Sequence, residues 1–149
     1  MRLVPITTQK PVEEFFASPY SQDLFAQFEA YYPRIGFTPP WIGYYILRDD
    51  VLVGTCSFTG QPIDGRVEIA YWTFSEFEGR GIATWACKEL VAIAKQHDPT
   101  VIVTAKTAPE VNASTAILTR NGFKQTRIVQ DHEIGDAWEW VFVLLERIH

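Results

Sequence analysis

Cysteine is nearly absent from this chain. Its 149 residues carry two, Cys56 and Cys87, each inside an apolar run and without metal-ligand spacing. Such residues read as buried free thiols of a reducing compartment. Histidine is also thin, with three, and neither a metal-ligating cluster nor a Ser/His/Asp spacing stands out. Basic charge is short: 13 Lys and Arg face 18 Asp and Glu, for a net charge of −5. A general nucleic-acid binder needs a basic face, so that class is excluded, whereas a cationic substrate suits an acidic surface. No apolar stretch approaches the ~18 residues of a membrane span, and Met1 to Pro5 open no signal peptide. A cytoplasmic location is therefore expected, with neither membrane nor nucleic acid as a partner. Repeats, low-complexity tracts and linkers are missing too. What is present, 47% hydrophobic and 21% charged residues, is a globular composition sized for a single domain over residues 1–149.

The pattern along the chain predicts a first strand from Arg2 to Ile6. Pro11 followed by Glu13 and Glu14 signals a helix start, which Pro19 should stop. Ser21 is expected to cap a second helix ending before Pro33, with a loop from Arg34 to Pro40. Ile42–Leu47 and Val51–Phe58 read as a hairpin around Arg48-Asp49-Asp50, and Arg66–Phe74 as a third strand. Ile82–Gln96 is a mostly apolar helix, Val101–Ala105 a buried strand, and Asn112–Arg120 a helix closed by Asn121-Gly122. Phe123–Val129 and Trp138–Leu145 complete the list. The order β-αα-βββ-α-β-α-ββ implies an α+β class, a mixed sheet with helices on both faces rather than a doubly wound alternation.

Between the third strand and the long helix lies Glu78-Gly79-Arg80-Gly81-Ile82-Ala83-Thr84. At such a helix start several backbone N–H groups lack intrahelical partners, and the helix dipole adds positive potential. Gly79 and Gly81 let an anion approach the backbone, Arg80 offers a cation, and Thr84 a hydroxyl. This is chemistry for a phosphate or pyrophosphate. A plain strand-to-helix turn is an alternative. A dinucleotide fold is another, but Thr84 replaces its third glycine and Lys106 stands where a ribose-binding acid is wanted.

Glu78-Gly79-Arg80-Gly81-Ile82-Ala83 resembles the Q/R-x-x-G-x-G/A acyl-CoA motif of the GNAT superfamily of N-acetyltransferases. The run from Glu68 to Thr84 is similar to the branch holding the ribosomal-protein N-terminal acetyltransferases. Pro109-Glu110-Val111-Asn112-Ala113-Ser114-Thr115 and Asn121-Gly122-Phe123 resemble that branch's second motif, in register with the first. The resemblance spans roughly Trp41 to Leu145 and implies a GNAT-type, mostly antiparallel sheet of about seven strands. It implies acetyl-CoA as cofactor and transfer of its acetyl group to a primary amine. That amine is a small molecule, a polyamine or a protein N-terminus, attacking directly in a ternary complex. Backbone groups of Tyr71, Trp72 and Thr73 would pair with the pantetheine arm like an added strand, one N–H polarising the thioester carbonyl. Amides of Gly79, Arg80, Gly81, Ile82, Ala83 and Thr84 would hold the pyrophosphate, with Asn112 and Ser114 beside the cofactor. Three residues depart from the pattern. Glu78 replaces Gln or Arg, Asn112 stands two rather than three residues before Ser114, and Leu118 occupies the position of the tyrosine that protonates the departing thiolate. These departures motivate a rival, a non-catalytic acyl-CoA-binding or regulatory module on the same fold; a small α/β domain without cofactor is a third reading.

Attack on a thioester requires a neutral amine. Deprotonating a lysine-like amine at pH 7 costs roughly 4–5 kcal/mol, but a protein α-amine only about 1 kcal/mol. Glu68, opening the cofactor strand on the face of Ala70 and Trp72, is the candidate general base. A solvated strand residue paired with Arg66 or a lysine is the alternative. His132 and Glu133 are a second candidate pair in the loop between the last strands, where relatives complete the amine pocket. Asp131, Glu133 and Asp136 make that loop acidic, and a cationic acceptor is expected. Trp41, Tyr44, Tyr45, Trp72, Trp138 and Trp140 are candidate acceptor-lining aromatics, and Arg34–Pro40 a candidate lid. His97 and His149 read as structural or exposed, and a monomer and a homodimer stay equally open.

Overall fold

The computed structural model describes residues 1–143. Its strands are β1 (Arg2–Pro5), β2 (Gly43–Arg48), β3 (Val51–Phe58), β4 (Arg66–Thr73), β5 (Ile102–Thr107), β6 (Phe123–Asp131) and β7 (Gly135–Phe142). Its helices are α1 (Pro19–Ile35), α2 (Ile82–His97) and α3 (Ala113–Arg120), with single 3-10 turns at Glu14–Ala17 and Ser75–Phe77. The last strand lies three residues earlier than the aromatic pattern predicts. Residues 144 and 145 of that expected strand, and His149, lie outside the described residues.

The N-terminal helices need correction. Pro19 opens a helix instead of stopping one. Ser18 takes the extended conformation favoured before proline, and its hydroxyl accepts the Tyr20 N–H at 3.2 Å. Ser21 is therefore inside α1, where its buried hydroxyl donates to the carbonyls of Ser18 (2.7 Å) and Phe15 (3.0 Å). The upstream segment manages only the 3-10 turn. Pro33 does not end α1 either. It forfeits a single N–H bond in the last turn, and Gly36 N–H closes the helix on the Tyr32 carbonyl at 2.7 Å. Arg34 and Ile35 thus belong to the helix and not to the loop after it.

The strands form one sheet in the order β1-β2-β3-β4-β5-β7-β6, antiparallel except for β4 beside β5. The β2–β3 connection is a two-residue turn with Asp49 and Asp50 both left-handed (φ 50° and 62°), which matches the twist of a tight hairpin. On one sheet face lies α1. There the Phe15 ring meets Tyr45 edge-on at 5.1 Å, and Gly43 admits the Phe28 ring where any Cβ would overlap it. On the other face α2 buries Ile82, Ala86, Cys87, Leu90, Val91 and Ala94, a stripe of helical period. Beside it sits α3, tied by the Asn121 amide donating to the Thr84 carbonyl at 3.2 Å. Cys56 and Cys87 are free and buried, and burial pushes the Cys87 thiol up to about 12, so it stays protonated.

Tyr32 fixes α1 to the sheet edge. Its buried hydroxyl donates to the Ile6 carbonyl at 2.5 Å and accepts the Gly43 N–H at 3.1 Å. Tyr32→Phe strands both partners in the interior. The expected loss is about 1–3 kcal/mol in urea unfolding at an unchanged m-value.

Candidate functional site

Strand pairing stops partway along β4. Arg66, Val67, Glu68 and Ile69 pair in parallel with Ile102, Val103, Thr104 and Ala105 of β5, and there the two strands part. Beyond that point Ala70, Tyr71, Trp72 and Thr73 pair only with β3, while Lys106 and Thr107 pair only with β7. One edge of β4 is thus left with free backbone groups facing a split. Buried amides must be satisfied, so such an edge invites an extended ligand.

A cleft of about 510 Å³ runs from this edge to the start of α2. It is lined by Tyr71, Trp72 and Thr73 from β4, by Glu78, Gly79, Gly81, Ile82, Ala83 and Thr84 from the turn, and by Ser114, Ile117 and Arg120 from α3. Gly79 and Gly81 both have left-handed backbones (φ 75° and 77°), and a Cβ on either would stand in open space. The positive φ demands glycine, and the turn stays bare for a phosphate. Thr73 supplies a further mark of fit, because its Oγ1 is buried without a hydrogen-bond partner. The acyl-CoA donor set expected from the sequence is therefore largely assembled on one cleft.

Two expected members stand apart from it. The Arg80 guanidinium lies 5.7 Å over the Phe77 ring, leaving only its backbone toward the turn. Asn112 is the N-cap of α3: its side chain accepts the Thr115 N–H at 3.2 Å, and the Thr115 hydroxyl accepts the Asn112 N–H at 2.9 Å. Its amide nitrogen points back to Glu110 at 3.3 Å, and Asn112 does not line the cleft. The cation on the cleft is instead Arg120, which closes α3 opposite Glu78 and escaped the sequence reading. A basic residue in a last helical turn is its only sequence signal, and helix-end electrostatics explains that equally well.

Glu68 stands where β4 and β5 part. Its Oε1 lies 3.2 Å from Lys106 Nζ, and Asp131 Oδ2 lies 3.8 Å from the same ammonium. With Glu133 these three line a small pocket that reaches Tyr71 and Ser114. Backbone N–H groups of Glu133 (2.8 Å) and Ile134 (3.3 Å), together with Lys106, hold Asp131 below the ordinary carboxylate range. Two or three carboxylates thus meet one cation. His132 points into solvent, 3.9 Å from Glu133, and does not line this pocket. Tyr71 reaches all of these features, and its hydroxyl donates to the Ser114 carbonyl at 3.3 Å. Burial raises its phenol far above the usual value, so it keeps its proton. Leu118, at the position of the family's tyrosine, is fully buried in the core.

A second groove, of about 620 Å³, lies between α1 and the β3–β4 face and shares Tyr71 and Trp72 with the cleft. Trp72 is half exposed there, with Tyr31 and Phe28. The other expected acceptor aromatics are elsewhere. Trp41 is buried edge-on against Phe58 and His97, Tyr44 and Tyr45 are core residues, and Trp140 donates to Thr107 at 3.0 Å inside the sheet. Large flat rings on alternating strand positions serve the core more readily than a groove.

Residues 2–124 match the family model described as an acetyltransferase (GNAT) domain. A crystal structure of a probable acetyltransferase is 25% identical, over 85% of this chain and 72% of its own, with a TM-score of 0.63. RimL, a ribosomal L7/L12 α-N-protein acetyltransferase solved with coenzyme A, is 19% identical over 84% and 72%, with a TM-score of 0.64. The microcin C7 self-immunity acetyltransferase MccE, solved with acetyl-CoA and AMP, is 20% identical over 84% and 71%, with a TM-score of 0.65. No curated protein sequence is similar enough to match. No helix among the described residues is long and apolar enough to cross a membrane.

If Arg120 is the cation of the cleft, Arg120→Ala raises the Kd for CoA about five- to tenfold, and the penalty shrinks at high salt. Arg80→Ala, whose side chain is stacked away, should change Kd less than twofold. Titration calorimetry of the two variants at low and high salt checks the order.

Proposed function

Since the chain belongs to the GNAT family of acetyltransferases and is an acyl-CoA-dependent N-acetyltransferase, we propose that its acceptor is a primary amine of the α-amino type, activated by Glu68. The observation that carries this reading is the Glu68–Lys106–Asp131 cluster at the split. Any carboxylate is a modest base toward an aliphatic ammonium. It suits an amine whose deprotonation costs about 1 kcal/mol at pH 7 better than a lysine-like amine that costs roughly 4–5 kcal/mol. The surplus of carboxylates still draws the amine in as a cation.

Acetyl-CoA supplies the activated acetyl group. For this chain's residues the division of labour follows from position. The free β4 backbone of Tyr71, Trp72 and Thr73 lays the extended arm along the split, and an N–H there polarises the acyl carbonyl. The bare amides of Gly79 to Thr84, with Arg120 opposite, hold the diphosphate. Glu68 takes the ammonium proton. The neutral amine nitrogen then forms its bond to the acetyl carbon and sheds its second proton to water, while the carbon–sulfur bond breaks and the sulfur leaves with the electron pair. Tyr71, protonated and beside Ser114, stands in for the absent tyrosine as proton donor to that sulfur. Asn112 serves this scheme indirectly by starting α3, and Glu133 with Asp131 keeps the amine entrance negative. RimL acts on the α-amine of a ribosomal protein, an acceptor of the class proposed here.

Thiol release with acetyl-CoA and a panel of amines tests the proposal. Amino acids, peptides and other α-amines are expected to outrun lysine side-chain analogues and polyamines at pH 7. Tight acetyl-CoA binding without release on any amine sinks it. Glu68→Gln is expected to lower kcat/KM at pH 7 at least tenfold, with the deficit closing as pH rises past the amine's own pKa. An unchanged pH profile removes Glu68 from the mechanism.

A further inference from the structure

The acceptor groove has a charge pattern of its own. Where it opens into the β4–β5 split, at Ala70 and Tyr71, the carboxylates of Glu68, Asp131 and Glu133 stand against the ammonium of Lys106. Along the groove itself the only charged lining residue among the described residues is Arg34; the remaining polar lining includes amide and hydroxyl groups, as at Gln27 and Tyr31. Arg34 lies in the last turn of α1, where a cation also suits the helix dipole. Yet its side chain reaches the groove, and among the described residues it meets no carboxylate within ion-pair distance. Tyr31, one helical turn before it, reports how close the two ends are. After burial, the Glu68 carboxylate is the main influence raising its phenol, Arg34 pulls it back down, and Glu133 adds to the rise. One side chain therefore feels both the acidic end and the guanidinium. Between them Leu24, Phe28 and Trp72 present apolar surface, and the volume is that of a small-molecule site, ~300–1,000 Å³.

We propose that the acceptor is a small zwitterion: a primary amine on an apolar body that also carries an anionic group, a carboxylate or a phosphate, held by the guanidinium of Arg34. This rests on the amine-acetylation reading above and narrows it. A polyamine would set a second cation against Arg34, and a neutral amine would leave that guanidinium without a partner. A planar five-donor guanidinium is suited to grip either oxyanion through paired hydrogen bonds. The amine then faces Glu68 because the opposite charge holds the far end in the groove.

A matched series reads this directly. Phenylalanine, its phosphonate analogue, phenylalanine amide, phenethylamine and a phenylalanine-initiated tripeptide share one apolar body and one amine. With acetyl-CoA, the carboxylate or the phosphonate is expected to show at least tenfold higher kcat/KM than phenethylamine and the amide, and whichever leads names the anion. Arg34→Gln is expected to cut that ratio about tenfold, and Arg34→Lys to restore part of it. Calorimetry of the same amines on the CoA-loaded protein gives a readout without turnover. Anion-dependent binding that Arg34→Gln abolishes, with no turnover of any amine, keeps the anion site and fells the acetylation reading. Robust turnover that ignores the anion, favours a polyamine or the tripeptide, or keeps its ratio in Arg34→Gln overturns the zwitterion. Thermal unfolding of the variant verifies that this exposed substitution leaves the fold in place.

Discussion

A strand that leaves its neighbour carries backbone N–H and C=O groups that nothing in the chain satisfies, and water or a ligand must take them. In this protein β4 leaves β5 after Ile69, and the free edge from Ala70 to Thr73 is the result. Nearly everything functional hangs on that divergence. The cleft at the start of α2 opens on one side of it and the groove beside α1 on the other, with Tyr71 and Trp72 common to both. Glu68 stands one residue before the last paired position, with its carboxylate beside Lys106 at the fork. Had the pairing run on, the sheet would be more regular and the edge of β4 would offer nothing to an extended ligand.

Charge is distributed so that each side of the fork suits its occupant. On the sheet face around Glu68, two ion-pair groups alternate. Glu139 is buried between Arg66 and Arg127 at 3.0 Å each, and Lys106 lies between Glu68 and Asp131. The first group has a cation in excess and the second an anion. Because the second one adjoins the split, the local field is negative where an ammonium should arrive. The opposite sign suits a diphosphate, and the cleft at the start of α2 offers backbone dipoles with Arg120 rather than a lysine-rich surface. A net charge of −5 is thereby compatible with a polyanionic cofactor.

Legibility in the sequence tracked how local the cause was. The Gly79-Arg80-Gly81 turn, the Asp49-Asp50 hairpin and the apolar stripe of α2 are set by neighbours a few residues away, and each was readable. The N-terminal segment was misread because Pro19 and Pro33 admit both a start and a stop. At Pro19 the neighbouring Ser18 hydroxyl caps the helix start, and past Pro33 the helix is held by Tyr32 docking to Ile6 and Gly43, partners remote in sequence. Trp41 was misplaced for the same reason: a ring beside a loop looks available until Phe58 and His97 close on it. Arg34, Lys106 and Arg120 carried no sequence signal of function, since an isolated cation near a helix or strand end has many ordinary reasons to be there.

By itself the sequence determined the α+β class, the order of elements after Trp41, the glycine turn at the start of α2 and the acyl-CoA motif. Periodicity, glycine stereochemistry and unsatisfied helix-start amides are properties of contiguous residues, and they survive without knowledge of the fold. Only the tertiary structure decided where the sheet splits, that Glu68 shares Lys106 with Asp131, and that Arg34 lines the groove beside α1. Those are juxtapositions of residues tens of positions apart. Their energies depend on distance and burial, and neither quantity exists until the chain has folded.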